Sequence, residues 1–282
     1  MNIKHITEQI HLKKSFLCVG LDTDIKKIPH HLLDSQYQLF EFNRKIIDAT
    51  AEFTVAYKAN TAFYEVLGAA GWINLEMTVN YIRKNYPDIF IIADAKRGDI
   101  ENTARYYAKT FFESLNVDAI TISPYMGKDS VTPFLEFQDK WAIVLALTSN
   151  SGSGDFQQNI DKTSNLHLYE NVLQTSAKWG SKNNMMFVIG ATHADLLENV
   201  RKIVPDHFLL IPGVGAQSGN LTDVAKYGFN KDCGLLVNAS RSIIYADGTV
   251  DFAKAAGLEA AKIQKDMESL LNIHHILPST NN

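Results

Sequence analysis

The stretch IFIIADAKRGDI, residues 89–100, joins an apolar run to a cluster of ionisable side chains. Its first half is β-branched and aromatic, as expected of a parallel strand that is covered on both faces. Asp94, Lys96, Arg97 and Asp99 then follow within six positions. Because charged groups are costly to bury, four of them at the end of an apolar strand indicate a chemical site rather than a simple structural element.

Short apolar runs of the same kind recur along the chain and alternate with longer segments of helical periodicity. The eight runs are residues 16–22, 54–60, 89–96, 119–125, 141–148, 185–191, 207–214 and 234–240. Apolar stripes with helical spacing fall at 39–53, 75–86, 104–115 and 252–270. Eight strand–helix units in about 250 residues predict an α/β fold, a (β/α)₈ TIM barrel. A doubly wound sheet is the alternative, but it more usually has fewer strands and a glycine fingerprint after the first.

Composition narrows the class of protein further. The 282 residues are 46% hydrophobic and 21% charged, with a net charge of −4 and no basic run typical of nucleic-acid binding. No apolar run approaches the roughly 20 residues of a membrane helix. We therefore expect a single barrel domain over residues 1–282, with a short N-terminal helix and a frayed C-terminal tail. We also expect a cytoplasmic location, no nucleic-acid or membrane partner, and reduced thiols at Cys18 and Cys233.

The predicted strands end in polar residues, and in a TIM barrel these carboxyl ends carry the active site. Asp94 and Lys96 are two apart, so on a strand they face the same side, whereas Arg97 faces the other. Lys58 lies on the preceding strand. Together with Asp94, Lys96 and Asp99 it forms a Lys–Asp–Lys–Asp row in which each charge is opposed by its neighbours. The alternatives are a structural ion pair for Asp94 and Lys96, and a helix N-terminal carboxylate for Asp99. The other polar residues at predicted strand ends are Asp22, Asn60, Thr148, Ser149, Asn150, Asn238, Ser240 and Arg241.

A second signal is PGVGAQSG, residues 212–219. Gly213 and Gly215 let the backbone approach a ligand closely, and the loops after strands 7 and 8 form the usual phosphate site of TIM barrels. Arg241 offers a planar fork for phosphate, although a surface ion pair is its alternative. The third glycine, Gly219, comes one position too late for a dinucleotide fingerprint. The sequence therefore predicts a phosphorylated small-molecule ligand, and no residue cluster has the spacing of metal ligands.

Taken together, these motifs resemble the orotidine 5′-monophosphate decarboxylases, from about Phe16 to Tyr245. The matching pieces in chain order are LD, YKAN, DAKRGDI, TSN, PGVGAQ and SRSI. The D-x-K-x-x-D pattern with an upstream lysine and a following phosphate loop makes the resemblance specific. It implies conversion of orotidine 5′-monophosphate to uridine 5′-monophosphate and carbon dioxide, the last step of de novo pyrimidine synthesis, without a cofactor.

The resemblance also implies residue roles. Asp94 would lie against the substrate carboxylate, Lys96 would protonate C6, and Lys58 would orient Asp94 and bind the ribose. Asp99 and Thr103 would reach the active site of a partner subunit, which implies a homodimer with shared sites. The implied substrate contacts are Asp22 for a ribose hydroxyl, Ser149 for the pyrimidine, Gln217 for base and phosphate, and Gly213, Gly215, Ser240 and Arg241 for the phosphate loops.

Two departures from the compact members of this family accompany the match. The segment TSNSGSGDFQQN, residues 148–159, is longer than theirs and is either a mobile lid or a plain flexible loop. Ser240 replaces a glycine, which leaves the backbone contact to phosphate open. The rivals on the same barrel are 3-keto-gulonate 6-phosphate decarboxylase and hexulose-phosphate synthase, which use magnesium and an acidic ligand where this chain has Lys58. A catalytically idle phosphate-binding barrel is a further alternative, which the complete charged row disfavours.

Overall fold

The computed structural model describes residues 1–213 and 220–278, and within these ranges eight strands form one closed barrel. The strands are β1 (Leu17–Gly20), β2 (Ala56–Asn60), β3 (Phe90–Arg97), β4 (Ala119–Ile122), β5 (Trp141–Leu147), β6 (Met185–Ile189), β7 (Leu209–Pro212) and β8 (Leu235–Ala239). All neighbours pair in parallel, and β1 closes the barrel against β8 with Leu17 opposite Val237. The predicted TIM barrel is confirmed, and the doubly wound alternative is wrong because it requires an open sheet.

Helices connect the strands and cover the outside of the barrel. They are α1 (Ile3–Lys13), α2 (Gln38–Thr50), α3 (Ala62–Glu65), α4 (Gly68–Asn85), α5 (Glu101–Lys109), α6 (Thr132–Leu135), α7 (Leu168–Ser176), α8 (Leu197–Ile203), α9 (Leu221–Gly228), α10 (Arg241–Ile244) and α11 (Phe252–Ile273). The apolar stripes of α2, α4 and α11 lie where the periodicity predicts them. The stripe at 104–115 is α5 followed by a turn of π-helix, Thr110–Ser114. Of the helices in the described ranges, none is at once long enough and apolar enough to cross a bilayer.

The first helix lies at the amino-terminal end of the barrel. Asn2 caps α1 by accepting a hydrogen bond from the backbone N–H of His5, which satisfies a donor at the helix start. The indole N–H of Trp141, at the start of β5, donates to the carbonyl of Met1 at 2.7 Å. The start of the chain is thus tied to the amino-terminal end of the barrel, and the strands finish at the opposite end.

The end of β3 departs from regular strand geometry. Ala93 lies opposite Ile120 of β4, but Arg97 lies opposite Ile122, so four positions on β3 match two on β4. Lys96, inside this bulge, has a φ of +48°, in the left-handed region that non-glycine residues rarely adopt. Simple alternation is therefore the wrong reason for the closeness of Asp94 and Lys96. The bulge re-aims the Lys96 side chain toward the site, as bulges beside active sites often do.

Candidate active site

A cavity of about 310 Å³ opens among the carboxyl ends of the strands. Within the described ranges its charged and polar lining comprises Asp22, Lys58, Asn60, Asp94, Lys96, Thr148, Ser149, Asn150, Asn238, Ser240 and Arg241. Its apolar and glycine lining comprises Leu145, Val188, Leu210, Pro212 and Gly213. A concave site with one charged side and one apolar side suits a small ligand that carries both a planar ring and ionised groups.

The charged side is a chain of ion pairs that begins at β1 and ends at β3. The Lys58 ammonium lies 3.3 Å from Oδ1 of Asp22 and 3.1 Å from Oδ2 of Asp94. The Lys96 ammonium lies 2.6 Å from the other oxygen of Asp94, Oδ1. The side chain of Lys58 is only 5% exposed, whereas that of Lys96 is 48% exposed. Lys58 is thus fixed between two carboxylates, and Lys96 keeps one side open to the cavity.

The protonation states of this chain follow from its geometry. Burial alone would raise the pKa of Asp94, but the ammonium charges of Lys58 and Lys96 outweigh it and hold that pKa well below the usual range. Burial would likewise lower the pKa of Lys58, yet the carboxylates of Asp22 and Asp94 raise it above the ordinary value. Asp94 is therefore an anion and Lys58 a cation near neutral pH.

Thr121, on β4, is a member of the site that the sequence analysis missed. Its hydroxyl donates to Oδ1 of Asp94 at 2.8 Å and accepts the backbone N–H of Lys96 at 3.0 Å. One buried side chain thereby fixes both the carboxylate and the bulge that presents the lysine. The available signal was a lone threonine in the apolar run AITI, next to the charged strand.

Arg97 faces away from the cavity, as predicted. Its guanidinium pairs with Glu65 of α3, donates to the carbonyl of Ala95 at 3.0 Å and lies over the ring of Tyr107 on α5. It is therefore an anchor between the end of β3 and the helices behind it.

On the opposite side of the mouth, Ser149 sits against β6. A Cβ atom on Gly190 would lie 2.6 Å from the backbone nitrogen of Ser149, so only glycine allows this approach. Ser149, Gly213, Ser240 and Arg241 all line the same cavity as the charged chain.

Of the predicted positions that the structure describes, two are not gathered into this cavity. Asp99 is exposed, does not line it, and accepts the backbone N–H of Ile100 at 2.7 Å. Thr103, on α5, is also exposed and outside the lining. Gly215 and Gln217 lie outside the described residues. The roles of Asp99 and Thr103 across a subunit interface stay predictions.

In the described ranges no group of three or more His, Cys, Asp or Glu side chains is arranged to hold a metal ion. Around the cavity, the carboxylates of Asp22 and Asp94 are instead paired with lysines. Cys18 and Cys233 are both buried and free.

Comparison with known proteins shows the family of this chain. Residues 15–256 match the Orotidine 5′-phosphate decarboxylase / HUMPS family. A protein of Phocaeicola vulgatus named orotidine 5′-phosphate decarboxylase is 59% identical over 271 residues, 96% of this chain and 99% of the relative. One of the same name from Flavobacterium johnsoniae is 56% identical over 272 residues, with coverage of 96% and 99%. The solved structure of Leishmania donovani OMP decarboxylase, 35% identical, matches with a TM-score of 0.78 over 94% of this chain and 100% of that one. The resemblance read from the motifs is confirmed: this chain belongs to the orotidine 5′-phosphate decarboxylase family.

Proposed function

We propose that this enzyme, a carboxy-lyase by family, converts orotidine 5′-monophosphate to uridine 5′-monophosphate and carbon dioxide, without a cofactor. The observation that carries the proposal is the position of Asp94, an anion held between two lysines at 3.1 and 2.6 Å in the wall of a cavity. Decarboxylation needs a cation that offers a proton beside the reacting carbon and a fixed negative charge near the departing carboxylate.

The two lysines suit different roles in this reaction. The bond between C6 and the carboxylate breaks, its electron pair stays on C6, and the Lys96 ammonium gives C6 a proton as carbon dioxide leaves. Lys96 suits this step because nearly half of its side chain is exposed. Lys58 is buried and bonded to both Asp22 and Asp94, so it orients both carboxylates and helps to keep Asp94 ionised. Lys96 then recovers its proton from solvent.

Binding of the rest of the nucleotide supplies energy for holding the reacting carbon in place. We assign the phosphate to Arg241 and the loops after β7 and β8, the pyrimidine to Ser149, and a ribose hydroxyl to Asp22. All three side chains line the same cavity. The phosphate assignment for Gly215 and the bridging role of Gln217 rest on the sequence motif alone.

The magnesium-dependent rivals on this barrel fit the site less well. Their metal would need carboxylates free to coordinate it near the end of β2. Here that strand carries Lys58, whose ammonium lies 3.3 and 3.1 Å from the two nearest carboxylates. A divalent cation in the same space would be repelled by a buried ammonium group.

The proposal includes a homodimer with shared active sites. Asp99 and Thr103 are exposed beside the cavity's own β3 end, yet neither lines it, which is consistent with a role in a neighbouring subunit. Exposed apolar side chains also occur on the connections that follow β2, β3 and β4, and exposed apolar surface of this kind supports a subunit interface. They are Val66, Ile100, Tyr106, Tyr125 and Met126. A cytoplasmic location and a single-domain organisation stay predictions.

The activity is tested by ultraviolet absorbance of orotidine 5′-monophosphate with purified protein in excess EDTA. We expect the orotate band to disappear with the wild type and to persist with Lys96→Ala. Lys84→Ala, at an exposed position of α4, is the matched control and should keep full activity. No turnover by the wild type, with activity on a keto-sugar phosphate plus magnesium, would assign the protein to the rival enzymes.

Shared sites are tested by subunit exchange between two inactive variants, Lys96→Ala and Asp99→Ala. Random mixing makes half of the dimers mixed, each with one intact site, so about a quarter of wild-type activity should return. If Asp99 serves its own subunit, every site keeps one defect and no activity returns. Differently tagged wild-type chains control for exchange.

A further inference from the structure

We propose that Ser240 and Asn238 are positioning residues that hold Asp22 in place for the reaction, so that Ser240 acts through Asp22 rather than on the phosphate. This inference rests on the proposed function, since Asp22 is taken there to bind the ribose. It extends the functional chain beyond the lysine–aspartate row, across the junction between β8 and β1.

Both oxygens of Asp22 are held by donors from different strands. The Ser240 hydroxyl donates to Oδ2 at 2.9 Å. The other oxygen, Oδ1, accepts the Lys58 ammonium at 3.3 Å and the backbone N–H of Asn60 at 3.2 Å. Without the Ser240 hydroxyl, the remaining side-chain and backbone donors to Asp22 from the described residues bind Oδ1 alone, so the plane of the carboxylate is less constrained. Ser240 therefore fixes the plane in which Asp22 meets a ligand.

The hydrogen bonds behind Ser240 run in one direction. The amide of Asn238 donates from Nδ2 to the Ser240 oxygen at 3.2 Å, which leaves the hydroxyl proton free to go to Asp22. The oxygen of the same amide accepts the Cys18 thiol at 3.6 Å. Burial raises the pKa of Cys18 to about 12, so this thiol stays protonated and remains a donor. Three successive hydrogen bonds thus lead to the Asp22 carboxylate, from Cys18 to Asn238, from Asn238 to Ser240 and from Ser240 to Asp22.

Two features of β1 and β8 allow this series of hydrogen bonds to form. Cys18 of β1 and Asn238 of β8 are direct partners in the strand register. A Cβ atom on Gly20 would lie 1.8 Å from the Ser240 oxygen, so β1 has room for the hydroxyl only because residue 20 is glycine. Register and the absent side chain at position 20 are independent features, and both serve the contact between Ser240 and Asp22.

The alternative for Ser240 is direct contact with the phosphate, together with its neighbour Arg241. The two roles differ in their energetic coupling. A residue that acts through Asp22 loses its effect when Asp22 is removed, whereas a phosphate contact is coupled to Arg241 instead. Since Ser240 lies on the surface of the cavity, either role is sterically open and the coupling decides between them.

Two double-mutant cycles on kcat/KM test the proposal, one pairing Ser240→Ala with Asp22→Ala and the other pairing it with Arg241→Ala. We expect Ser240→Ala alone to lower kcat/KM about tenfold, the size of one lost bond to a charged group. In the Asp22→Ala background the same change should cost less than twofold, and in the Arg241→Ala background the full tenfold. Asn238→Ala should follow the same pattern, because it acts through Ser240.

The reverse pattern, with full cost beside Asp22→Ala and little cost beside Arg241→Ala, would overturn the proposal in favour of phosphate contact. An equal loss of kcat/KM in both backgrounds would overturn it as well, because a general structural defect does not depend on whether Asp22 or Arg241 has been replaced. Ser240→Gly is the second variant if the alanine protein does not fold. Absence of turnover by the wild type would refute the proposed function instead, so the two failures are distinguishable.

Discussion

Lys58→Met is the substitution whose consequences follow most directly from the structure. Methionine retains the length of the side chain but removes the charge that lies 3.3 Å from Asp22 and 3.1 Å from Asp94. Two partly buried carboxylates then share the site with Lys96 alone. Removing one partner of a buried ion pair costs about 3–5 kcal/mol. We expect a loss of this size in the free energy of unfolding at pH 7, together with loss of activity.

The pH dependence of this loss has a definite sign. In the wild type the pKa of Asp94 is lowered, so the stability it contributes is present above its unfolded value of about 3.9 and is lost as pH falls. Without Lys58, the first of the two ammonium charges that lower this pKa, Asp94 accepts a proton more readily. The variant therefore loses less stability on acidification. The difference between the two proteins should shrink as pH falls below about 5.

Urea denaturation at 25 °C, measured at several pH values, provides the assay. Lys84→Met, on the exposed surface of α4, is the matched control and should change stability by less than about 0.5 kcal/mol at every pH. A Lys58→Met deficit below about 1 kcal/mol, or one that grows on acidification, would refute the electrostatic reasoning.

Two further substitutions probe other parts of the fold. Thr121→Val keeps the shape of the side chain but removes the hydroxyl that joins Asp94 to the Lys96 backbone. We expect it to lower the free energy of unfolding by about 1.5–3 kcal/mol and to lower kcat. Thr121→Ser keeps the hydroxyl and should have stability and kcat close to those of the wild type. Equal values for valine and serine in urea denaturation and steady-state kinetics would contradict this role. His207 has neither ring nitrogen hydrogen-bonded within the described residues, and burial and Arg201 lower its pKa to about 4. The contribution of His207 to stability is present above about pH 6.5 and is lost toward pH 4. His207→Phe should therefore make the free energy of unfolding less dependent on pH between these values. An unchanged pH dependence would show that His207 does not cause it.

The sequence predicts the barrel because parallel strands and amphipathic helices impose different periods on the chain. It also predicts that Asp22, Lys58, Asp94 and Lys96 meet, because each ends a strand at the same side of the barrel. Strand alternation gave the right neighbours for Asp94 and Lys96 but the wrong geometry, since a bulge and a positive φ produce the contact. Periodicity carries no information about two extra residues at the end of a strand.

Contacts between distant strands are the other part that sequence alone does not give. Thr121 reads as an ordinary residue of an apolar strand until its register beside β3 is known. The link from Asn238 to Ser240 and Asp22 depends on the pairing of β8 with β1, more than 200 positions apart in the chain. Pairing of this kind is a property of the closed fold, and no local pattern contains it.

The junction between β1 and β8 has a consequence for the synthesis of the enzyme on the ribosome. A ribosome makes Lys58, Asp94 and Lys96 early, but the partner of Asp22 on its open side, Ser240, lies at the end of the last strand. A nascent chain whose β8 has not yet emerged from the ribosome therefore contains most of the charged groups of the site. It lacks the hydrogen bond from Ser240 to Asp22. The arrangement is complete only when the final strand is paired with the first. The bond that we propose to orient Asp22 thus makes the complete site depend on a segment that is synthesised after all eight strands.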